Sequence, residues 1–401
     1  MTDFITFDDG QGTFGPLTDL RPPSRLRTGA VLTEQRQGRR LGGQAVGLWT
    51  TPELAGVLSE QSDIPVNELP AGDSWVCVNG RWSGLDELSV PACGTAIIDE
   101  SSQAVLMAHL KSGDARAFCE QGDLPSTIER IAVPAKMYSA PWDILDHLEA
   151  ALADDIASCG VPPMTGDQMH VHGEHPVLLH PDAVVLPGVV ADTTAGPVVV
   201  HEGATIRSNA SLCGPCVIGP GSIVMDGSLI KSRTSIGPQC RVGGEVGGSI
   251  LQGYSNKAHD GHLGDSILGR WVNLGAGTTN SNLLNTYTEV LVRLTPDSRM
   301  ARTGRVFMGS IIGDHVKTAI GTRLMTGTTL GTGCMVASST PPSTTLPAFT
   351  WLTDTGASQY RSDKFLDVAR TVMARRSIEL GAAEAAELQR LCDAAQARRT
   401  G

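Results

Sequence analysis

The chain has 401 residues, a formal net charge of −11 and a pI near 5.4, which allows two or more domains and argues against a nucleic-acid or anionic-membrane partner and for a small-molecule substrate. Aromatic residues make up 4% of the chain while glycine numbers 46, a pairing that suits an aliphatic interior with many tight corners. No run of apolar residues is long enough to span a bilayer, Met1-Thr2-Asp3 lacks a basic segment followed by an apolar one, and the 9 cysteines are scattered and odd in number, so a cytoplasmic protein with reduced thiols is expected.

Residues 1–165 read as an α/β domain. An apolar strand at Phe4–Phe7 is followed by the glycine-rich segment Gly10-Gln11-Gly12-Thr13, a helical or loop region from Leu26 to Leu58, and a strand at Trp75–Val78. Pro141-Trp142-Asp143 opens an amphipathic helix, with Ile144, Leu145, Leu148, Ala151 and Leu152 at helical spacing. Next, His170, His172 and His175 stand close together, and strand alternation puts the first two on one face, which permits chelation. The simpler expectation is an exposed lead into the following domain, with no metal.

From Val200 an aliphatic residue recurs at every sixth position: Ile206, Leu212, Ile218, Val224, Ile230, Ile236 and Val242. That period is neither the 3.6 of a helix nor the 2 of a strand, so the chain turns after each short extended run, and three such runs close one coil of a parallel β-helix over residues 176–340. Gly219, Gly237 and Gly243 follow inner positions and are expected to take positive φ at corners. After an interruption the pattern resumes at Leu268, Leu274 and Asn280, and after a longer one at Ile312, Thr318, Leu324, Leu330 and Val336. Cys213-Gly214-Pro215-Cys216 has a redox spelling, but it lies between inner Leu212 and Ile218 and reads as a corner. Pro341, Pro342 and Pro347 form a joint that ends the β-helix. Residues 341–401 then form a helical tail, with one helix from Ser362 carrying Phe365, Val368, Ala369, Val372 and Met373, and a second over about Ser377 to Ala395. Such a tail is expected to cover an open end or side of the β-helix.

Polar residues gather where the hexads falter. Gly253 to Asp265, Val272 to Thr278 and Asn280-Ser281-Asn282 hold His259, His262, Asn273 and Asn282, with Glu245 upstream. These hexads resemble the hexapeptide-repeat transferases, whose β-helix is left-handed. From Ser255 to Asn282 the chain resembles the acetyltransferase half of the bifunctional glucosamine-1-phosphate acetyltransferase/N-acetylglucosamine-1-phosphate uridyltransferase family. The resemblance implies His259 as general base, Glu245 as its support, and Asn273 and Asn282 as substrate contacts. The residue types suit the chemistry: a neutral imidazole, with an ordinary pKa near 6.5, can take a proton from an amine as it attacks a thioester, and a carboxylate can fix its tautomer. The plainer alternative is that His259 is a turn residue and that Asn280 and Asn282 form an amide ladder.

The chain departs from that family's pattern at His262, where the family has an aromatic residue, and at Gly247-Gly248, where it has a lysine-containing pair. Lys231, Arg233 and Arg241 lie close to the place of a missing phosphate-gripping arginine, so the acceptor is expected to differ from glucosamine 1-phosphate, with His262, Tyr287 and Lys231 as further substrate contacts. The long loop from Ser281 to Ser310, with Tyr287, Arg293, Arg299, Arg302 and Arg305, serves either substrate choice or an interface. Lys317 and Arg323 are the candidates for the phosphates of acetyl-CoA or another acyl-CoA.

The N-terminal segment Gly10 to Thr18, with Leu20-Arg21-Pro22, resembles the signature of sugar-phosphate nucleotidyltransferases, which implies a Rossmann-like domain with Gly10, Gly12, Thr13, Arg21 and Arg25 at a nucleotide. Phe14 stands where an arginine belongs, and Val78-Asn79-Gly80-Arg81-Trp82 replaces the metal-binding aspartate, so residues 1–165 are expected to be a degenerate nucleotidyltransferase-like domain, with Mg²⁺ expected only if it is active. Over nearly its full length the chain is similar to a GlmU-like group of sugar nucleotidyltransferases. The resemblance therefore implies an acyl-CoA-dependent N- or O-acyltransferase acting on an amino sugar, a sugar phosphate or nucleotide, or a similar polar metabolite, assembled as a homotrimer. Sugar-1-phosphate nucleotidyl transfer and a non-catalytic sugar- or nucleotide-binding scaffold are the alternatives.

Overall fold

A computed structural model describes residues 2–400. Six strands, β1 (Phe4–Phe7), β2 (Ala45–Trp49), β3 (Ser74–Asn79), β4 (Thr95–Asp99), β5 (Val105–Lys111) and β6 (Glu129–Val133), form one mixed sheet in the order β2-β1-β3-β5-β4-β6. β1 pairs in parallel with β2 and β3, while β5 runs antiparallel to β3 and β4. Around this Rossmann-like sheet lie α1 (Thr33–Leu41), α2 (Pro52–Gln61), α3 (Ser112–Gln121), α4 (Pro141–Asp146) and α5 (Leu148–Ala157). The helix expected from Pro141 is thus two helices that meet at His147.

The remainder is a left-handed parallel β-helix of about 10 turns. Its first face is a sheet of nine strands running from Val177–Leu179 to Thr345–Leu346. A second face runs from Val184–Val185 through Arg241–Val242 and Asn256–Lys257, continuing at Lys317–Thr318 and Met335–Ala337. The third runs from His170–His172 to His262–Gly264. All eight residues of the unbroken series from Val200 to Val242 are fully buried in one axial cluster, and each such aliphatic side chain is worth roughly 1.5–3 kcal/mol. The ladders begin at His170, before the sequence-based boundary, and include Thr350–Thr353 beyond the proline joint, because the chain around Pro341 and Pro347 makes one more coil instead of leaving the prism.

Gly219, Gly237 and Gly243 are not among the residues with positive φ. What requires glycine there is the next coil: an added Cβ would meet the Ile236 carbonyl oxygen at 2.6 Å, that of Leu251 at 2.5 Å and that of Ala258 at 2.3 Å, respectively. Cys216 points into the dry axis while Cys213 stays outside, so the Cys-X-X-Cys spelling is a coil corner in space as well.

The first face is covered by the N-terminal part. Outward Val199, Val217, Ile250, Ile267 and Ile311 pack against Leu17, Leu26, Ile144, Leu148 and Leu152. Val290, Val292, Leu294 and Met308 of the long loop join the same cluster, so much of that loop is interface. Polar seams fix the register: Arg27 N–H donates to Gln252 Oε1 at 2.7 Å, and Ser235 Oγ to the Gly29 carbonyl at 2.6 Å.

The tail forms α6 (Ser362–Ala374) and α7 (Ala382–Thr400). Arg361 takes the cap position of α6, one residue before Ser362. α7 starts later than the spacing predicts, because Ser377 adopts φ 57° and Glu60 of α2 accepts the Ala383 and Glu384 N–H groups at 2.7 and 3.2 Å. Phe365, Ala369 and Met373 of α6 pack with Trp271 and Phe349, on the side of the β-helix. No helix among the described residues is long and apolar enough to cross a membrane.

Candidate functional site

Parallel pairing decides which polar side chains meet. Glu245 lies opposite His262 across the third face, and both side chains point outward. Glu245 Oε1 accepts from Lys231 Nζ at 2.7 Å and lies 3.4 Å from His262 Nδ1. The Lys231 bond, then the Lys231 and His262 charges, outweigh desolvation and hold the Glu245 carboxyl below its ordinary value. Glu245 therefore supports His262 and Lys231 rather than His259, because His259 sits on the corner before the strand and out of register with it.

Gly264 is what lets the other half of the site assemble. A Cβ at that position would fall 2.5 Å from His262 Nε2 and 2.7 Å from Asn282 Nδ2, so the imidazole and the amide close over bare backbone. Asn282 Nδ2 donates to Asp265 Oδ2 at 2.7 Å, and Asp265 also faces Arg233 and Arg305, each at 3.5 Å. Lys231, Arg233, His262, Asp265 and Asn282, with Phe307, line a groove of about 460 Å³.

The corner carrying His259 is built from inside the prism. Lys257 takes an inner position, paired beside Val242, and is 1% exposed. Its Nζ donates to the carbonyls of Gly243, His259 and Asp260 at 3.1, 2.6 and 2.9 Å. Desolvation, only partly offset by Asp260, lowers the Lys257 pKa to about 8. An ammonium inside a hydrocarbon stack thus ties down the corner, while the His259 side chain stands exposed on it. The sequence reading passed over Lys257 because it followed aliphatic residues, yet counting six back from Leu263 lands on it.

Asn273 lies elsewhere. It sits on the second face between Asn256 and Lys317 in the ladder, its Oδ1 accepting from Asn256 Nδ2 at 3.4 Å, and it shares a cleft with Lys317. Burial pushes the Lys317 pKa down to about 8. Arg323 is exposed and donates to the Ser339 carbonyl at 3.0 Å, and Tyr287 is 74% exposed on the long loop.

A second cavity, of about 1120 Å³, opens at the end of β1 and includes Asp8, Asp9, Gly10, Gly12, Asn67 and Arg81. The two glycines have φ 65° and 81°. Thr13 is exposed and its N–H donates to the Ser139 carbonyl at 2.7 Å. The basic residues of the signature are engaged elsewhere: Arg21 makes a buried two-pronged pair with Asp314 of the β-helix, and Arg25 pairs with Glu34 at 2.9 Å. Phe14 is buried in the interdomain cluster.

Asp9 of this cavity is not free to hold Mg²⁺. Asp9 Oδ1 accepts from Gln11 N–H at 3.0 Å and Arg81 Nε at 2.8 Å, and Oδ2 from Arg81 Nη2 at 2.6 Å and Asn79 Nδ2 at 2.8 Å, which fills its acceptor capacity. Burial raises the Asp8 pKa, and Glu120 and Asp123 stand in the same lining, so the carboxylates left for a cation that prefers several oxygen ligands are these three rather than Asp9. Among the described residues no three His, Cys, Asp or Glu side chains gather as a metal site.

Residues 4–160 match the family described as sugar nucleotidyl transferase. The chain is similar to a bifunctional sugar-1-phosphate nucleotidylyltransferase/acetyltransferase of Sulfurisphaera tokodaii, 32% identical over 142 residues, covering 34% of each chain. It is also similar to the bifunctional protein GlmU of Rippkaea orientalis (25% identical over 181 residues, 38% of each chain) and of a Nostoc species (26% over 258 residues, 58% of this chain and 52% of that one). The chain spans about a third of the length of the first of these relatives. The chain thus sets a domain that matches the sugar nucleotidyl transferase family ahead of a left-handed parallel β-helix.

Proposed function

We propose that the chain is a transferase that moves an acyl group from a coenzyme A thioester to an amino group, or a hydroxyl, of an amino sugar, sugar phosphate, sugar nucleotide or similar polar metabolite. The observation that carries this reading is the groove lined by Lys231, His262 and Asn282, with Glu245 paired to both Lys231 and His262 and His259 on the corner three residues before His262. In the reaction the amine nitrogen attacks the thioester carbonyl, the C–N bond forms and the C–S bond breaks. The amine proton passes to the His259 imidazole and then to the departing thiolate. Lys231 and Asn282 hold the acceptor, and His262, oriented by Glu245, donates to or accepts from one of its hydroxyls.

A second reading of the base rests on that orientation: an imidazole with a carboxylate behind it and its other nitrogen in the groove is the usual arrangement of a general base, which favours His262. Thiol release from acetyl-CoA across a panel of amino sugars decides between them. His259→Ala is expected to lower kcat about 100-fold or more, with His262→Ala acting mainly on KM. The reverse pattern transfers the base to His262, and equal thiol release by the wild type and both variants removes the acyl-transfer reading.

In this reading residues 176–340 are the transferase domain, residues 1–165 bind a sugar or nucleotide, and residues 341–401 are a supporting tail. Asn273, on another face, reaches the acceptor only if sites form between protomers of a homotrimer. Exposed Val184, Val190, Ile320 and Met325 on the β-helix are the apolar surface such an assembly would cover. Nucleotidyl transfer by the first domain, which the family match favours, predicts Mg²⁺-dependent pyrophosphate release from a nucleoside triphosphate and a sugar phosphate. The saturation of Asp9 opposes it. A scaffold predicts binding without turnover. The acidic charge and the absence of a long apolar run favour a cytoplasmic setting.

A further inference from the structure

Between the second face and α6 lies a cleft of about 400 Å³, on a different face from the groove of Lys231 and His262. Four cations line it, Arg241 and Lys317 from the β-helix and Arg375 and Arg376 from the end of the tail helix, and no carboxylate does. Cations gathered this closely repel one another, and burial, then Arg241 and Arg375, lower the Arg376 pKa, so the cluster is costly unless an anion completes it. Its fixed internal partners are few. Arg376 Nη2 donates to Asn256 Oδ1 at 3.0 Å, and Lys317 Nζ has only the carbonyls of Trp271 and His315, both at 3.4 Å. Arg241 and Arg375 make no ion pair among the described residues. One wall carries the half-buried Tyr254 ring, which stacks on buried Trp271 with centroids 4.5 Å apart and planes 24° from parallel, Trp271 being stacked in turn on His315.

We propose that this cleft binds the phosphate groups of a small organic phosphate, with Arg241, Lys317, Arg375 and Arg376 as the phosphate ligands and Tyr254, backed by Trp271, as the surface for a flat ring. Guanidinium groups suit the purpose because their planar N–H forks match phosphate oxygens. Asn256 and Asn273, also in the lining, supply amides for a hydroxyl or ring nitrogen. Half of the cationic set comes from the tail, so ligand binding also pins α6 to the prism. The inference stands whichever group the neighbouring groove transfers, since it needs only the cleft and its charges.

Calorimetry and intrinsic tryptophan fluorescence of the full chain, with three probes, test it. Pyrophosphate reports the phosphate site alone, adenosine 3′,5′-bisphosphate stands for the nucleotide end of a thioester donor, and glucose 1-phosphate stands for a sugar phosphate. At least one is expected to bind with an affinity that falls steeply with salt. The single variants Arg241→Gln and Arg375→Gln are each expected to weaken it about tenfold, in line with the loss of one charge-assisted contact. The fluorescence change is expected to disappear in Trp271→Phe. The tighter of the two organic probes identifies the source of the phosphate. No binding of any probe at millimolar concentration, or an affinity unchanged in the Arg241→Gln/Arg375→Gln double variant, overturns the proposal.

Discussion

Replacing Lys257 by methionine separates holding the corner from holding the fold. The side chains are of similar length, and methionine suits the apolar stack between Val242 and Leu274. The variant loses three charge-assisted hydrogen bonds, each worth about 1.5–3 kcal/mol when its acceptor is left without any partner. Two of the acceptors, the carbonyls of His259 and Asp260, belong to exposed corner residues that water can reach, so only the buried Gly243 carbonyl stays unpaired. Against that loss stands the desolvation that brings the Lys257 pKa from 10.5 to about 8, equivalent to about 3 kcal/mol at about 1.36 kcal/mol per pH unit. The two nearly cancel, and Lys257→Met is expected to match the wild type at pH 7 within about 1 kcal/mol in urea unfolding. The pH dependence has a definite sign. Between pH 8 and 10.5 the unfolded chain binds the lysine proton and the folded chain does not, so the wild type gains stability over the variant as pH rises through that window. Thiol release is expected to fall at least about tenfold, because the untied corner no longer presents His259 in one geometry. A variant that loses more than about 3 kcal/mol, or one that turns over like the wild type, refutes the reasoning.

Asp155 makes a contrasting test, because its charge is neutralised in place. It is fully buried, accepts from Arg36 Nε at 2.9 Å and Nη2 at 2.7 Å, and also from the Ala30 and Val31 N–H groups, so Asp155→Ala strands the buried Arg36 guanidinium. The expected loss is about 3–5 kcal/mol in urea unfolding. For Asp314, burial pushes the carboxyl up, but Arg21 pulls it further down, to below its ordinary 3.8. Its contribution is therefore complete above about pH 5 and lost as pH falls through the lowered value. Asp314→Asn is expected to flatten the acid limb of a stability–pH curve while lowering stability at pH 7.

The prism was readable because its period survives in residues that leave no alternative: eight consecutive hexads from Val200 end in fully buried aliphatic side chains. Reading weakened where the coil shortened. Val246 follows Val242 by four positions, Leu251 follows Val246 by five, and the next inner residue is a lysine, so a search for aliphatics at six loses the register between Gly243 and Leu263. The same phase carries information about the site. Arg241, Asn256, Asn273 and Lys317 each precede an inner residue of the second face, whereas Glu245 and His262 precede inner residues of the third. Resemblance put Asn273 beside His259; coil arithmetic puts it on the face with Lys317. No local pattern could reveal that α6 lies over that face or that Arg21 is spent on Asp314, since these depend on contacts between residues that stand 120 and 293 positions apart.

What the three faces carry follows from what covers them. The first face has apolar outward residues and is sealed by the N-terminal part, so it contributes stability but offers no ligand site. The second face changes along its length, from Val184, Thr205 and Ile223 to Arg241, Asn256, Asn273 and Lys317, and its polar stretch is where the tail helix arrives with two arginines. The third face, without such cover, stacks Glu245 on His262, with Lys231 reaching Glu245 from two residues along the neighbouring strand. Several corners join the two polar faces, Gly243–Gly244 and the segment from Ala258 to Gly261 among them, and Lys257 grips the second from inside while also bonding the Gly243 carbonyl of the first. The cost of burying an ammonium at position 257 thus makes physical sense as a means of holding these corners still.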